Sequence, residues 1–301
     1  MSIVVGVDPA HRSASALHLA AMLARSAGTD LLVAAIVPPA WPTTAGGADA
    51  EWRGYTRENA DSALDHAAAV LGGSVAAEFL LHEAPSARRG LVELAEQREA
   101  SLIVVGSAGD GQQGRIALGS ASDTLLHASP VPVAIAPRGY RTEVDARVSR
   151  VTAAYRGTGA SADLVFGAAG LAASVGADLR VASFAVVPRD SGTSGAGLDA
   201  EAAIADTWAA DVEKHAASLV RQVAELEDAP GVPEVAVGRG ETWESAMADI
   251  GWEPGELLVV GSSTLGPIAR VFLGSHAAKI LRHSPVPVVV VPHGLVGRER
   301  D

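Results

Sequence analysis

Residues Gly106 to Ser120 read GSAGDGQQGRIALGS, and Gly261 to Ser275 read GSSTLGPIARVFLGS. In both places a short apolar strand (102–105, 257–260) enters a glycine-rich turn, and a small residue then opens a helix. The copies stand 155 positions apart in a chain of 301 residues, so one module is used twice. Glycines between a buried strand and a helix start present main-chain N–H groups with no side chains in front of them, which suits a phosphate group. This repeat limits the fold more than any other feature of the chain, because each copy needs a strand, a tight turn and a helix in succession.

The rest of each half supplies the matching alternation. In the first half, apolar strands are predicted at 3–7, 31–37, 75–81, 102–105 and 131–136. Helices are predicted between them, one over 13–27 with Ser13 as N-cap and Gly28 as its stop, and one whose first turn holds Pro85. The second half repeats the order, with strands near 151–154, 179–187, 234–237, 257–260 and 286–291. Continuous apolar strands separated by helices imply a parallel sheet covered on both faces. The predicted fold class is therefore α/β: two doubly wound five-stranded parallel-sheet domains in tandem, at 1–138 and 150–293. In such sheets the ligand crevice lies at the carboxyl ends of the strands, where the strand order reverses. For an order 3-2-1-4-5, borrowed from similar folds, the flanking loops begin at Asp8 and Gly106.

Composition narrows the function. Net charge is −12, shared as −5 up to Tyr140 and −7 beyond it, with no Lys/Arg run, so a nucleic-acid partner is not expected. Cysteine is absent, which removes thiol catalysis, disulfides and thiolate metal sites. The start, MSIVVGVDPAHR, enters a strand directly, and no apolar run approaches the ~20 residues of a membrane helix. We expect a soluble, cytoplasmic protein with no membrane partner. The fifth strands, VPVAIAP and VPVVVVP, are apolar and would lie at sheet edges. An exposed apolar edge is an aggregation hazard, so the halves are expected to pair through these strands, with a homodimer as a further option.

Together these features resemble the universal stress protein family in its tandem form. The motif G-2x-G-9x-G-[ST] is matched in full by Gly106, Gly109, Gly119 and Ser120, and both halves close on Ser-Pro-Val-Pro-Val. The resemblance implies an adenine-nucleotide α-hydrolase-like fold and an ATP site in the first half, with Mg2+ arriving on the nucleotide and AMP or cyclic AMP as alternative ligands. It places Asp8 at the end of strand 1, the backbone of Ile36 against the adenine, and Gly106, Gly109, Gly119 and Ser120 on the phosphates, with the N–H of Ala121 beside them. Asp8 would serve the ribose or base, since a carboxylate repels phosphate; capping the following helix is the competing reading. Trp41, Trp52 and Tyr55 could form a lid, or simply pack. Arg12 and Arg115 could reach phosphates or be solvated surface arginines.

The second half departs from the pattern: Thr264 replaces the second glycine and Tyr155 takes the place of Asp8, so that half is read as weak or silent for nucleotide. The G-x-G-x-x-G formed by Gly109, Gly111 and Gly114 follows the fourth strand and lacks the acidic residue a dinucleotide site needs. There is no P-loop lysine, no HExxH and no G-x-S-x-G elbow, so no metal site and no catalytic residue is assigned. The expected function is regulatory or protective nucleotide binding under stress, with an unknown protein partner. Slow ATP hydrolysis is left open and dedicated catalysis is not expected. The alternative is an interaction scaffold of the same fold without nucleotide. An adenylyl-transferring enzyme would carry a serine- and glycine-rich loop directly after strand 1, where this chain has Asp8-Pro9-Ala10-His11-Arg12-Ser13.

Overall fold

A computed structural model describes residues 2–11, 13–39, 47–127, 129–187, 196–226, 228–230, 233–262 and 274–292. It divides into two compact units, Met1–Arg147 and Val148–Asp301.

In the first unit strand and helix alternate: β1 (Ser2–Val7), α1 (Ser15–Ala27), β2 (Asp30–Val37), α2 (Gly47–Leu71), β3 (Ala77–Glu83), α3 (Ala87–Gln97), β4 (Leu102–Gly106), α4 (Ser120–Leu126) and β5 (Val133–Ala136). All neighbouring strands are parallel, in the order β3-β2-β1-β4-β5. Side chains alternate across the strands as the pleat requires. Val7, Ala35 and Val37 pack with Ala60 and Leu64 of α2. Ile36 and Gly6, one step along, face Gly90 and Leu91 of α3. α1 packs with α2 and α3 with α4, which covers the sheet on both sides.

Helix α1 is Ala- and Leu-rich and almost wholly buried. It stops at Gly28, whose left-handed φ of 61° lets its N–H reach Ala24 O. Ser13 is not its N-cap: the helix begins after Ala14, and Ser13 Oγ instead accepts the Ser15 N–H at 3.4 Å. Likewise Pro85 lies outside α3, which Ser86 caps by accepting the Arg89 N–H. β3 begins two residues later than predicted, because Ser74 closes the turn after α2 through Leu71 O.

The second unit repeats the topology with β6 (Arg150–Ala154), α5 (Gly159–Val175), β7 (Asp178–Val186), α6 (Ala196–Ala224), β8 (Glu234–Gly240), α7 (Trp243–Asp249), β9 (Glu256–Gly261), α8 (Ser275–His283) and β10 (Val288–Val291). Its order is β8-β7-β6-β9-β10, again parallel throughout. A buried ionic network joins the amino ends of β6, β7 and β9. Arg180 Nη2 meets Glu256 Oε1, Arg180 Nη1 donates to Ile250 O and Gly251 O at 2.9 Å each, and Arg150 Nη2 meets Glu256 Oε2 at 2.9 Å.

Candidate functional site

The crevice in the first unit follows from the ladders. β1 and β4 pair only from Ile3↔Leu102 to Val5↔Val104. β1 stays with β2 through Val7↔Ala35, and β4 stays with β5 through Gly106↔Ala136. The two central strands therefore part at their carboxyl ends, where crossovers leave β1 to one side and β4 to the other. This is the switch point at which doubly wound sheets take ligands. Ile36 lies one residue past the last β1–β2 pair. Its strand pairs there only with β3, at His82, and its side chain packs on Gly90. The main chain of Ile36 is thus at the crevice level while its side chain belongs to the core under α3.

The loop after β4 is stitched shut before any ligand arrives. Ser107 N–H extends the ladder to Ala136 O at 3.0 Å, and its Oγ accepts the Ala117 N–H at 2.9 Å. Ala108 N–H reaches Ala117 O at 2.9 Å, and Gly114 N–H reaches Arg138 O at 2.9 Å. Ile116, 2% exposed, anchors the loop in the core. Arg115 is half-buried and its N–H is spent on Gln112 O.

The glycines of this loop fall into two kinds. At Gly111 a Cβ would stand 2.6 Å from the Ala117 Cβ, and Gly114 has a φ of +75°, so the fold itself requires both. The motif glycines are different. None is in the left-handed region, and an added Cβ would meet nothing closer than 4.0 Å at Gly106, or 3.5 Å at Gly109 and at Gly119. The protein has room for alanine at all three. This sorting also disposes of the G-x-G-x-x-G reading, since two of its glycines serve the turn.

At the start of α4, Gly119 is extended, with φ −84° and ψ 172°. Its N–H donates to Ser122 Oγ at 2.9 Å, and that hydroxyl donates back to Gly119 O at 3.1 Å. The Gly119 amide is thus drawn into the cap of its own helix. Ser120 and Ala121, the first two residues of α4, hold amides that a helix cannot satisfy internally.

Opposite this loop, Asp8 is exposed and builds its own turn. Its Oδ1 accepts the Ala10 N–H at 2.8 Å and its Oδ2 pairs with His11 Nδ1 at 2.9 Å. Asp8 does not cap α1. The imidazole it holds borders the glycine loop: a Cβ on Gly109 would lie 3.5 Å from His11 Cδ2 and 3.8 Å from Nε2. His11 has no partner histidine three or four positions away, and its signal in the sequence is the i,i+3 spacing to Asp8. Arg12 and Trp41 lie outside the described residues. Trp52 lines a cleft of about 270 Å³ beyond the end of β2, with Val37, Pro38, Arg53 and the Arg57–Glu83 pair, and Tyr55 is 65% exposed. Among the described residues no group of three or more His, Asp and Glu is gathered to hold a metal, and no helix is long and apolar enough to cross a membrane.

In the second unit the same places are filled differently. The ladders put Arg156, not Tyr155, at the place of Asp8: Val151 pairs with Leu257 as Ile3 pairs with Leu102, four residues before each motif glycine, which sets Tyr155 level with Val7. Tyr155 is 6% exposed, and burial raises its hydroxyl above the ordinary tyrosine value. A Cβ on Gly261 would meet Leu164 at 3.7 Å. Ser161 Oγ takes up the Arg156 and Thr158 N–H groups at 3.2 and 3.0 Å. His276, in the first turn of α8, stands edge-on to Trp243 at 4.7 Å. Burial first, then Arg156 and Lys279, push its pKa down to about 4. Thr264 lies outside the described residues.

Comparison with known proteins agrees with this architecture. Residues 1–137 and 148–292 each match the universal stress protein family. Over 298 residues the chain is 40% identical to universal stress protein Rv2319c of Mycobacterium tuberculosis H37Rv, a match covering 97% of this chain and 100% of the relative. Universal stress protein Mb2346c of Mycobacterium bovis matches to the same degree. Among solved structures, a universal stress protein from Archaeoglobus fulgidus superposes with a TM-score of 0.59 at 19% identity, covering 97% of this chain and 98% of that one.

Proposed function

The chain belongs to the universal stress protein family, and from that premise we propose that its first unit binds an adenine nucleotide in the crevice between β1 and β4. The one observation that carries this reading is the set of motif glycines that the fold does not need. Gly106, Gly109 and Gly119 have ordinary backbone angles and would tolerate a Cβ at ordinary contact distance, so their lack of a side chain is not required by the fold and serves what approaches the main chain there. A phosphate chain fits, because the loop is braced by its own hydrogen bonds and the amides of Ser120 and Ala121 open a helix. The end of β2 at Ile36 offers main-chain groups for the base, and the Asp8 carboxylate retains lone pairs for ribose hydroxyls. Hydrogen bonds to a charged group are worth about 1.5–3 kcal/mol each, so a few of them with a packed base reach the roughly −8 kcal/mol of a micromolar site.

ATP, with Mg2+ carried on its phosphates, is the proposed ligand, and the role is nucleotide-dependent regulation or protection under stress rather than dedicated turnover. In the second unit Arg156 stands in the place of Asp8, so the carboxylate offered to the ribose is missing there, which favours the first unit as the binder.

The test is direct. Protein purified without added nucleotide is denatured and the supernatant analysed for ATP, ADP, AMP and cyclic AMP; the same four are titrated into intact protein by calorimetry. Gly119→Val should abolish binding while the circular dichroism of the chain is retained. Release of no nucleotide, together with no heat from any of the four, would instead leave an interaction scaffold.

A further inference from the structure

We propose that His11 is a phosphate-contacting residue that reads the terminal phosphate of the bound nucleotide, and that Asp8 is the positioning residue that aims it. This rests on the crevice holding a nucleotide, and it deepens that reading by assigning a residue outside the glycine motif.

The geometry points this way from three sides. First, the ring is held at one nitrogen. His11 Nδ1 lies 2.9 Å from Asp8 Oδ2, and the carboxylate is itself pinned by the Ala10 N–H at 2.8 Å on Oδ1. A carboxylate only accepts, so Nδ1 carries its proton toward Asp8 and Nε2 is left as the working nitrogen. Second, the backbone around the ring is fixed. His11 N–H reaches Asp8 O at 3.2 Å, and Ser13 N–H reaches His11 O at 2.8 Å. Third, the Nε2–Cδ2 edge faces Gly109, the motif glycine whose side-chain space is otherwise open. The ring is 70% exposed and its Asp8 partner 59%, so a ligand entering between the two loops meets Nε2 without displacing core atoms.

The chemistry supplies the reason for such a residue. Main-chain amides bind any anion of suitable size and do not count phosphates. The crevice also carries the Asp8 charge, and the chain as a whole is strongly acidic. A triphosphate brought close to Asp8 needs a donor between them. An imidazole with Nδ1–H on the carboxylate and Nε2–H on a phosphate oxygen bridges the two. A monophosphate that stops short of Gly109 forgoes that bond. His11 thereby sets the preference for ATP over AMP.

The experiment is a set of calorimetric titrations of ATP and AMP into the full chain, in the unmodified protein, His11→Ala, Asp8→Asn and the double variant. The expected result is that the ATP-to-AMP affinity ratio falls about tenfold in His11→Ala, the loss of one hydrogen bond to a charged group. Asp8→Asn should lower the same ratio when His11 is present and leave it unchanged when His11 is already alanine. In imidazole 15N spectra of the unmodified protein, ATP should move the Nε2 resonance of His11 and AMP should not. This last measurement needs no substitution and stands even where a variant folds poorly. The proposal is overturned by a ratio within twofold of the original in His11→Ala, by an Asp8→Asn effect that is the same with and without His11, or by equal Nε2 shifts from both ligands. Absence of binding of either nucleotide to the unmodified protein is a different failure, because it removes the crevice reading along with this one.

Discussion

Removing the charge of Glu256 should strongly destabilise the second unit. The carboxylate is wholly buried, and Arg180 beside it is 1% exposed. Arg180 also donates to Thr152 Oγ1 at 3.1 Å and to two carbonyls at 2.9 Å, and its guanidinium lies 5.0 Å from the Trp252 ring centroid. Burial lowers the Arg180 pKa from its usual value and attraction to Glu256 opposes that shift; the guanidinium stays charged, so Glu256 is the partner that offsets its desolvation. In Glu256→Gln the shape survives but Arg180 and Arg150 face a neutral amide. Breaking a buried pair from one side costs about 3–5 kcal/mol. In a unit of about 150 residues, 1 kcal/mol moves the melting temperature by roughly 2–4 °C, so a drop on the order of 10 °C is expected. The first unit shows what an uncharged alternative looks like. Val4 and Leu32 stand where Thr152 and Arg180 stand in the second unit, and both are buried. Arg180→Met with Glu256→Leu should therefore be more stable than Glu256→Gln. Differential scanning calorimetry of the three proteins decides it. A loss under about 1 kcal/mol in Glu256→Gln, or a double variant worse than the single, would refute the account of the network as a matched buried pair.

Three further outcomes follow from named contacts. The folded-state pKa of His276 is about 4, below the ordinary value of 6.5, so the neutral ring contributes stability that is complete above pH 6.5 and is lost as pH falls toward 4. The size is about 1–3 kcal/mol, and urea unfolding of His276→Gln across that range should show a correspondingly flatter profile than the unmodified protein. Gly111→Ala, with its Cβ 2.6 Å from Ala117, should cost roughly 1–3 kcal/mol, whereas Gly109→Ala should change stability by less than about 0.5 kcal/mol and yet weaken ATP binding, the two being compared by thermal melts and calorimetry. Asp8→Asn should cost less than about 1 kcal/mol of stability, because an exposed pair contributes little, and a larger loss in a melting experiment would mean that the turn is structural first.

The sheet and its crevice were legible because their signals are local. Apolar runs, Gly28 after a helical stripe, and glycines behind a strand each act over a few residues. The repeated Ser-Pro-Val-Pro phrase was visible too, but its meaning was not. Ser129 Oγ donates to Val131 O at 2.6 Å and Ser284 Oγ to Val286 O at 2.8 Å, so each phrase is a turn. The last strands accordingly begin at Val133 and Val288 rather than at Val131 and Val286. What stayed hidden depends on register. Arg180 and Glu256 sit in apolar strands, and only the pairings Thr152↔Arg180 and Arg150↔Glu256 bring them together. The edge of His11 against Gly109 crosses from one loop to another, and the capture of the Gly119 amide by Ser122 depends on a side-chain rotamer. No spacing rule reports either.

The two copies of the module separate the demands of fold from those of function without any outside comparison. Both close the same five-stranded order, one with an exposed Asp just past its first strand and the other with an exposed Arg, Arg156, in that place. The topology therefore does not require a carboxylate there. Nor does local stability, since the Asp8–His11 pair is solvent-exposed. The second unit carries a buried Arg180–Glu256 pair at the opposite ends of its strands. The first unit does the reverse: an apolar floor, open glycines and an ionisable pair at the rim. On the proposed function, that exposed pair serves what it contacts when the crevice is filled.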